Sequence, residues 1–158
     1  MNEITFTVFS RPQPQGSTRP FTVKTKNGFK TVVTSANKNL KPWRQELAWV
    51  AGQAMAGEII VRPHPVSISV EFYFDRPASL PKKIRVNTKR PDLDKLCRAL
   101  CDSLIGICYE DDSQIVRLCA SKAYGAPERT EVRVSVEDSP LFDPKPSWRA
   151  IEVEGAPV

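Results

Sequence analysis

Residues 66–74, VSISVEFYF, place Val66, Ile68, Val70, Phe72 and Phe74 at every second position. Successive side chains of an extended chain point to opposite faces, so this segment satisfies its apolar set only as a strand with one face buried. A strand this long and regular is the expected centre of a sheet, with other elements layered over its apolar face.

The rest of the chain supplies those elements. ITFTVFS, residues 4–10, shows the same alternation and is expected to open the sheet. RPQPQGSTRP, residues 11–20, holds three prolines and one glycine and predicts an irregular loop. FTVKT and FKTVVT flank Lys26-Asn27-Gly28, and Asn-Gly accepts the positive φ of a tight turn, which predicts a hairpin over roughly 21–34. From Asn39 to Ala56 the residues Leu40, Trp43, Leu47, Val50 and Ala54 recur at helical spacing, with Pro42 in the first turn where a missing N–H costs little. Leu93, Leu96, Cys97, Leu100, Leu104 and Ile107 describe a second helix ending near Gly106. QIVRLCASKAY and TEVRVSVE read as two further strands around the turn Gly125-Ala126-Pro127. The expected fold is α+β: one domain over 1–138, a mixed sheet of about five or more strands and two main helices. Residues 139–158 contain four prolines and no sustained period, and are expected to be an irregular appendage on which Phe142, Trp148 and Ile151 are available to dock.

Charge is distributed unevenly. The formal net charge is +5, yet residues 4–45 carry eight Lys or Arg and no acid, and residues 76–90 carry six and again none. Two long tracts of one sign point to a polyanion-facing surface. The candidates for phosphate contact are Arg19, Lys24, Lys26, Lys30, Lys82, Lys83, Arg85, Lys89 and Arg90. The start of the chain lacks the pattern of a signal peptide and no apolar run has membrane-spanning length, so a cytoplasmic protein with no membrane partner is expected. The cysteines Cys97, Cys101, Cys108 and Cys119 include no CxxC pair and His64 is the single histidine, which favours reduced thiols over a zinc site.

Six carboxylates crowd into residues 90–115 of this basic chain: Asp92, Asp94, Asp102, Glu110, Asp111 and Asp112. Asp92 follows Pro91 at the expected N-cap of the second helix and Asp94 falls in its first turn, where the helix dipole favours an anion. Asp94, Arg98 and Asp102 stand four apart, the spacing of a surface ion-pair ladder. If the next strand returns antiparallel to the helix, the chain passes Asp92 and Asp94 again; spacing does not fix where Asp111 and Asp112 then lie. Two carboxylates about 4 Å apart repel by roughly 4 kcal/mol at an effective dielectric near 20, so acids that converge require a cation. Oxygen-only ligands select Mg²⁺ or Mn²⁺.

RPDLDKLCRALCDSL followed by YEDDSQIV resembles the two acidic motifs of the RusA family of Holliday junction resolvases: an Asp-x-Asp helix start and an Asp-Asp pair at the start of a strand. The likeness is close over 90–116 and extends in outline over 4–138, with RPQPQGSTRPF and LKPWRQELA similar in a looser way. It implies a Mg²⁺-dependent homodimer that cuts four-way DNA junctions by paired nicks, without a small-molecule cofactor. By the same likeness Asp92, Asp94, Asp111 and Asp112 are the metal ligands, and Asp92, Asp94 and Asp112 the catalytic acids. The family's catalytic lysine falls on Arg98, and Lys95 stands where asparagine is common, so the basic role goes to Arg98 or Lys95. The expected chemistry is phosphodiester hydrolysis in which an activated water attacks in line and a 3′-hydroxyl leaves. Two other readings stay open at this level: a DNA-binding module without turnover, whose carboxylates are caps and surface pairs, and a nuclease for flap or other branched DNA.

Overall fold

The computed structural model describes residues 3–16, 18–35 and 37–138. The expected C-terminal appendage lies outside them.

The segment 66–74 is strand β4 (Val66–Phe74), and its even-numbered residues are all buried while Ser69 and Glu71 are exposed. β4 lies inside a four-stranded sheet. In chain order the elements are β1 (Glu3–Val8), β2 (Thr18–Thr25), β3 (Gly28–Ser35), α1 (Leu40–Met55), β4, α2 (Leu93–Leu104), β5 (Ile115–Tyr124) and β6 (Arg129–Val136). The main sheet runs β1-β6-β4-β5, antiparallel except for the β4/β5 pair. β2 and β3 form a separate two-stranded sheet. The α+β expectation therefore holds, with the strands divided four and two.

One face of the main sheet carries the core. Leu40, Trp43, Leu47, Ala51 and Met55 of α1 are buried, a stripe slightly rotated from the expected one, with Val50 and Ala54 flanking it half-buried. Leu96, Leu100 and Leu104 of α2 are fully enclosed beside Ile68, Val70 and Phe72. α1 packs on β1 and on α2, and α2 packs on β5. Each enclosed leucine contributes on the order of 2 kcal/mol through removal of its side chain from water.

Two boundaries differ from expectation for local reasons. β2 begins at Thr18, three residues before the expected hairpin, and includes Pro20 opposite Val33. A proline removes a ladder donor, which is tolerated here because both strands of a two-stranded sheet are edges. The turn falls on Lys26-Asn27, one residue earlier than an Asn-Gly turn, and of the Asn27-Gly28 pair Gly28, the first residue of β3, takes the positive φ, 124°. α2 ends at Leu104, so Ile107 belongs to the following turn, where Gly106 takes a φ of 74°.

Candidate active site

Asp92 stands at the N-cap position of α2 with extended backbone, and its carbonyl accepts the first helical hydrogen bond from Leu96 N at 3.2 Å. Its carboxylate does not cap the helix, contrary to the expectation from sequence. Lys95 Nζ, one turn along, donates to Asp92 Oδ2 at 2.8 Å and draws the side chain away from the backbone N–H groups. That hydrogen bond and the Lys95 charge hold the Asp92 carboxyl below the usual range, with Arg90 and Lys122 adding to the effect. Asp94 is exposed and makes no hydrogen bond or ion pair among the described residues.

The backbone around this first pair is fastened from two sides. Gln15 N, in the proline-rich loop after β1, donates to Lys95 O at 3.1 Å. The basic loop before α2 lies along β5, where Tyr124 N donates to Arg85 O at 2.7 Å and Asn87 N to Lys122 O. Lys122 Nζ then donates to Pro91 O at 2.7 Å and to Lys89 O. Together these segments form a cleft of about 460 Å³ whose lining includes Arg11, Gln13, Asn37, Arg90, Asp92 and Lys95.

The second pair is set by a buried glutamine. Gln114 Oε1 accepts from Glu110 N at 2.9 Å and Asp111 N at 3.1 Å, while its Nε2 donates to Ile60 O and His64 O. Both ends of the amide are thus satisfied in the interior, which fixes the chain where it enters a single 3-10 turn, Asp112–Gln114. Asp111 caps that turn by accepting from Ser113 N at 3.0 Å, and it pairs with Arg62 Nη2 at 3.0 Å. The bond from Ser113 holds its carboxyl below the usual range, with Arg62 assisting. Asp112 is exposed and, like Asp94, makes no hydrogen bond or ion pair among the described residues.

The two pairs sit at opposite ends of α2. The helix has 12 residues, a length of roughly 18 Å at 1.5 Å per residue. Tyr109 Oη donates to Cys101 O at 2.7 Å, which keeps the chain approaching Asp111 beside the last turns of the helix. β5 does return antiparallel to α2, but it starts after Asp112 and brings Lys122 to Asp92 instead of bringing acids. Among the described residues no three of His, Cys, Asp or Glu lie close enough to hold a metal ion. The ladder expected from the spacing of Asp94, Arg98 and Asp102 is absent as well, since none of the three pairs with another among the described residues.

The basic residues fall on two surfaces. Lys82, Lys83, Arg85, Lys89 and Arg90 are exposed on the loop that leads into α2. Lys24, Lys26 and Lys30 are exposed on the β2–β3 hairpin, and Arg19 lies in β2. The sequence reading missed Arg11, Arg62, Gln114 and Lys122. Lys122 alone left a signal, a charge at an even-numbered position of β5, in register with the buried Phe72 of β4.

The family described as Endodeoxyribonuclease RusA matches residues 12–135, which takes in both pairs of carboxylates and both basic surfaces. A Bacillus subtilis (strain 168) protein described as uncharacterized protein YqaN is 34% identical over 144 residues, spanning 85% of this chain and 96% of its own.

Proposed function

The chain belongs to the RusA endodeoxyribonuclease family, and from that premise we propose that it is a divalent-cation-dependent nuclease that resolves four-way DNA junctions as a homodimer. The observation that carries the reading is the state of Asp94 and Asp112: two exposed carboxylates with no hydrogen bond or ion pair among the described residues, in a protein with an excess of cations. Asp111, by contrast, is engaged as a cap and ion pair by Ser113 N and Arg62.

The donor set is oxygen alone, which suits Mg²⁺ or Mn²⁺. Asp92 and Asp94 of one protomer would hold the cation together with Asp112 of a second protomer. The reason is geometric: within one chain α2 stands between the pairs, whereas a two-fold axis that sets two such helices antiparallel brings unlike ends together. When bound, the cation would polarise the phosphodiester and favour loss of a proton from water. Arg98, one turn beyond Asp94, supplies positive charge for a phosphoryl oxygen, and Lys95 keeps Asp92 ionised and oriented. The basic loop before α2 holds the backbone of the DNA.

Incubation of a four-way junction, a flap and a linear duplex with Mg²⁺ or with EDTA tests the activity. Mg²⁺-dependent paired nicks in the junction are expected. Binding without cleavage of any of the three leaves a DNA-binding module, and preferred cutting of the flap moves the substrate. Light scattering should give about 35 kDa, twice the 17.7 kDa of one chain. The shared site has its own test. Asp94→Asn and Asp112→Asn protomers, inactive alone, should regain about half the activity per mixed dimer, because one of its two sites is then free of substitutions. No recovery on mixing would place each site within a single protomer.

A further inference from the structure

Among the described residues no element layers over either face of the β2–β3 hairpin. Residues 20–31 are exposed without interruption, and the two strands pair with no other described strand. Directly paired residues share a face, and the faces alternate along the ribbon. Lys24 is paired with Phe29 on one face; Phe21 with Val32 and Val23 with Lys30 lie on the other. Phe29 is 77% exposed, the highest value among the large apolar side chains described, and Phe21 is 48% exposed. Between Thr18 and Ser35 there are four cations, Arg19, Lys24, Lys26 and Lys30, and no acid.

These properties narrow the occupant. A second copy of the hairpin would meet it with the same sign of charge, whereas a polyanion would not. Phosphate contact alone accounts for the lysines but gives no use for an exposed phenyl ring. A ring beside a cation is what an unstacked nucleobase needs, since it offers the base a stacking surface and the adjoining phosphate a counter-charge. A linear duplex covers both faces of every internal base pair, whereas an opened branch point uncovers one face of each pair that flanks it.

We propose that the hairpin is a DNA-contacting arm in which Phe29 stacks on a base face uncovered in a single strand or at an opened branch point, while Lys24 meets the neighbouring phosphate. The assignment rests on the branched-DNA reading above and extends it, because it gives the protein a way to prefer branched over linear DNA outside the carboxylate site.

The test is equilibrium binding of the full chain to a single-stranded oligonucleotide, a linear duplex and a four-way junction of matched length. Phe29→Ala should weaken single-strand and junction binding by about tenfold, within the range for loss of one base–aromatic stack, and leave duplex binding unchanged. Phe29→Trp should restore it. Lys24→Ala with Lys26→Ala and Lys30→Ala should weaken all three and flatten the salt dependence. Phe29→Ala that binds all three DNAs like wild type overturns the arm, even if junctions are cut. Loss of the dimer mass in Phe29→Ala also overturns it, by assigning the ring to contact between copies. Weakened single-strand and junction binding in a protein that cleaves nothing supports the arm and removes the nuclease reading alone.

Discussion

Lys122 Nζ donates to the carbonyl of Pro91 at 2.7 Å, so the strand that begins beside the second pair of carboxylates ends by fastening the loop that presents the first. A lysine placed this way orients acids it does not replace. Its charge also helps to keep Asp92 ionised.

Substituting Lys122 by Met should therefore lower Mg²⁺-dependent junction cleavage by about tenfold or more, in the range seen when partners that orient metal ligands are removed. Junction binding should change far less, because the ammonium is engaged with backbone oxygens. Paired cleavage and gel-shift titrations give the comparison, and equal losses in both would make Lys122 a phosphate contact.

Asp92→Asn, Asp94→Asn and Asp112→Asn should each reduce cleavage to the level seen in EDTA while junction binding is kept or tightened, since a negative charge near phosphate is lost. Cleavage near the wild-type rate in any of the three removes that residue from the site.

Asp111→Asn should behave differently, with partial cleavage and a melting temperature lower by a few degrees. It loses charge from a cap and an ion pair. The folded Asp111 carboxyl titrates below its ordinary 3.8, so its contribution is present above that pH and lost as pH falls through the lower folded value. The difference in melting temperature between wild type and variant should accordingly be constant near neutrality and shrink below about pH 4. A difference that stays constant down to pH 2 would exclude the electrostatic explanation.

Binding should weaken steeply with salt, log K falling by about 0.9 per phosphate neutralised on duplex DNA. Changing Lys82, Lys83 and Arg85 together to Ala should reduce that slope by up to about three contacts. An unchanged slope places the DNA away from the loop before α2.

The thiols give a test of the fold that is independent of DNA. Cys119 is exposed, whereas burial pushes Cys101 up to about 11 and Cys108 up to about 12. At pH 8 a group with a pKa near 11 is about a thousandth thiolate, so Ellman's reagent should titrate one cysteine rapidly and the others only on unfolding. Two or more fast equivalents would contradict the packing of α2 on the sheet.

The strands and helices were legible because their signals are local. Alternation in VSISVEFYF and the three-and-four spacing of Leu93, Leu96 and Leu100 each state which face of an element must be buried, and Asn27-Gly28 states where a hairpin turns. The acids were legible as residues, and their two motifs as a family likeness, on the same terms. What the chain alone left open was the arrangement of one pair relative to the other. That depends on the direction of β5, which is set by its parallel pairing with β4 across a contact of some fifty residues in sequence. Parallel pairing sends β5 back along α2 from the Asp112 end, so Lys122 and not a carboxylate reaches Asp92. The choice between capping the helix and pairing with Lys95 is by contrast local, since Lys95 stands three residues from Asp92, and the residues alone leave open which of the two the carboxylate takes. Periodicity specifies the face of an element; only the packing of elements against each other specifies which ends meet.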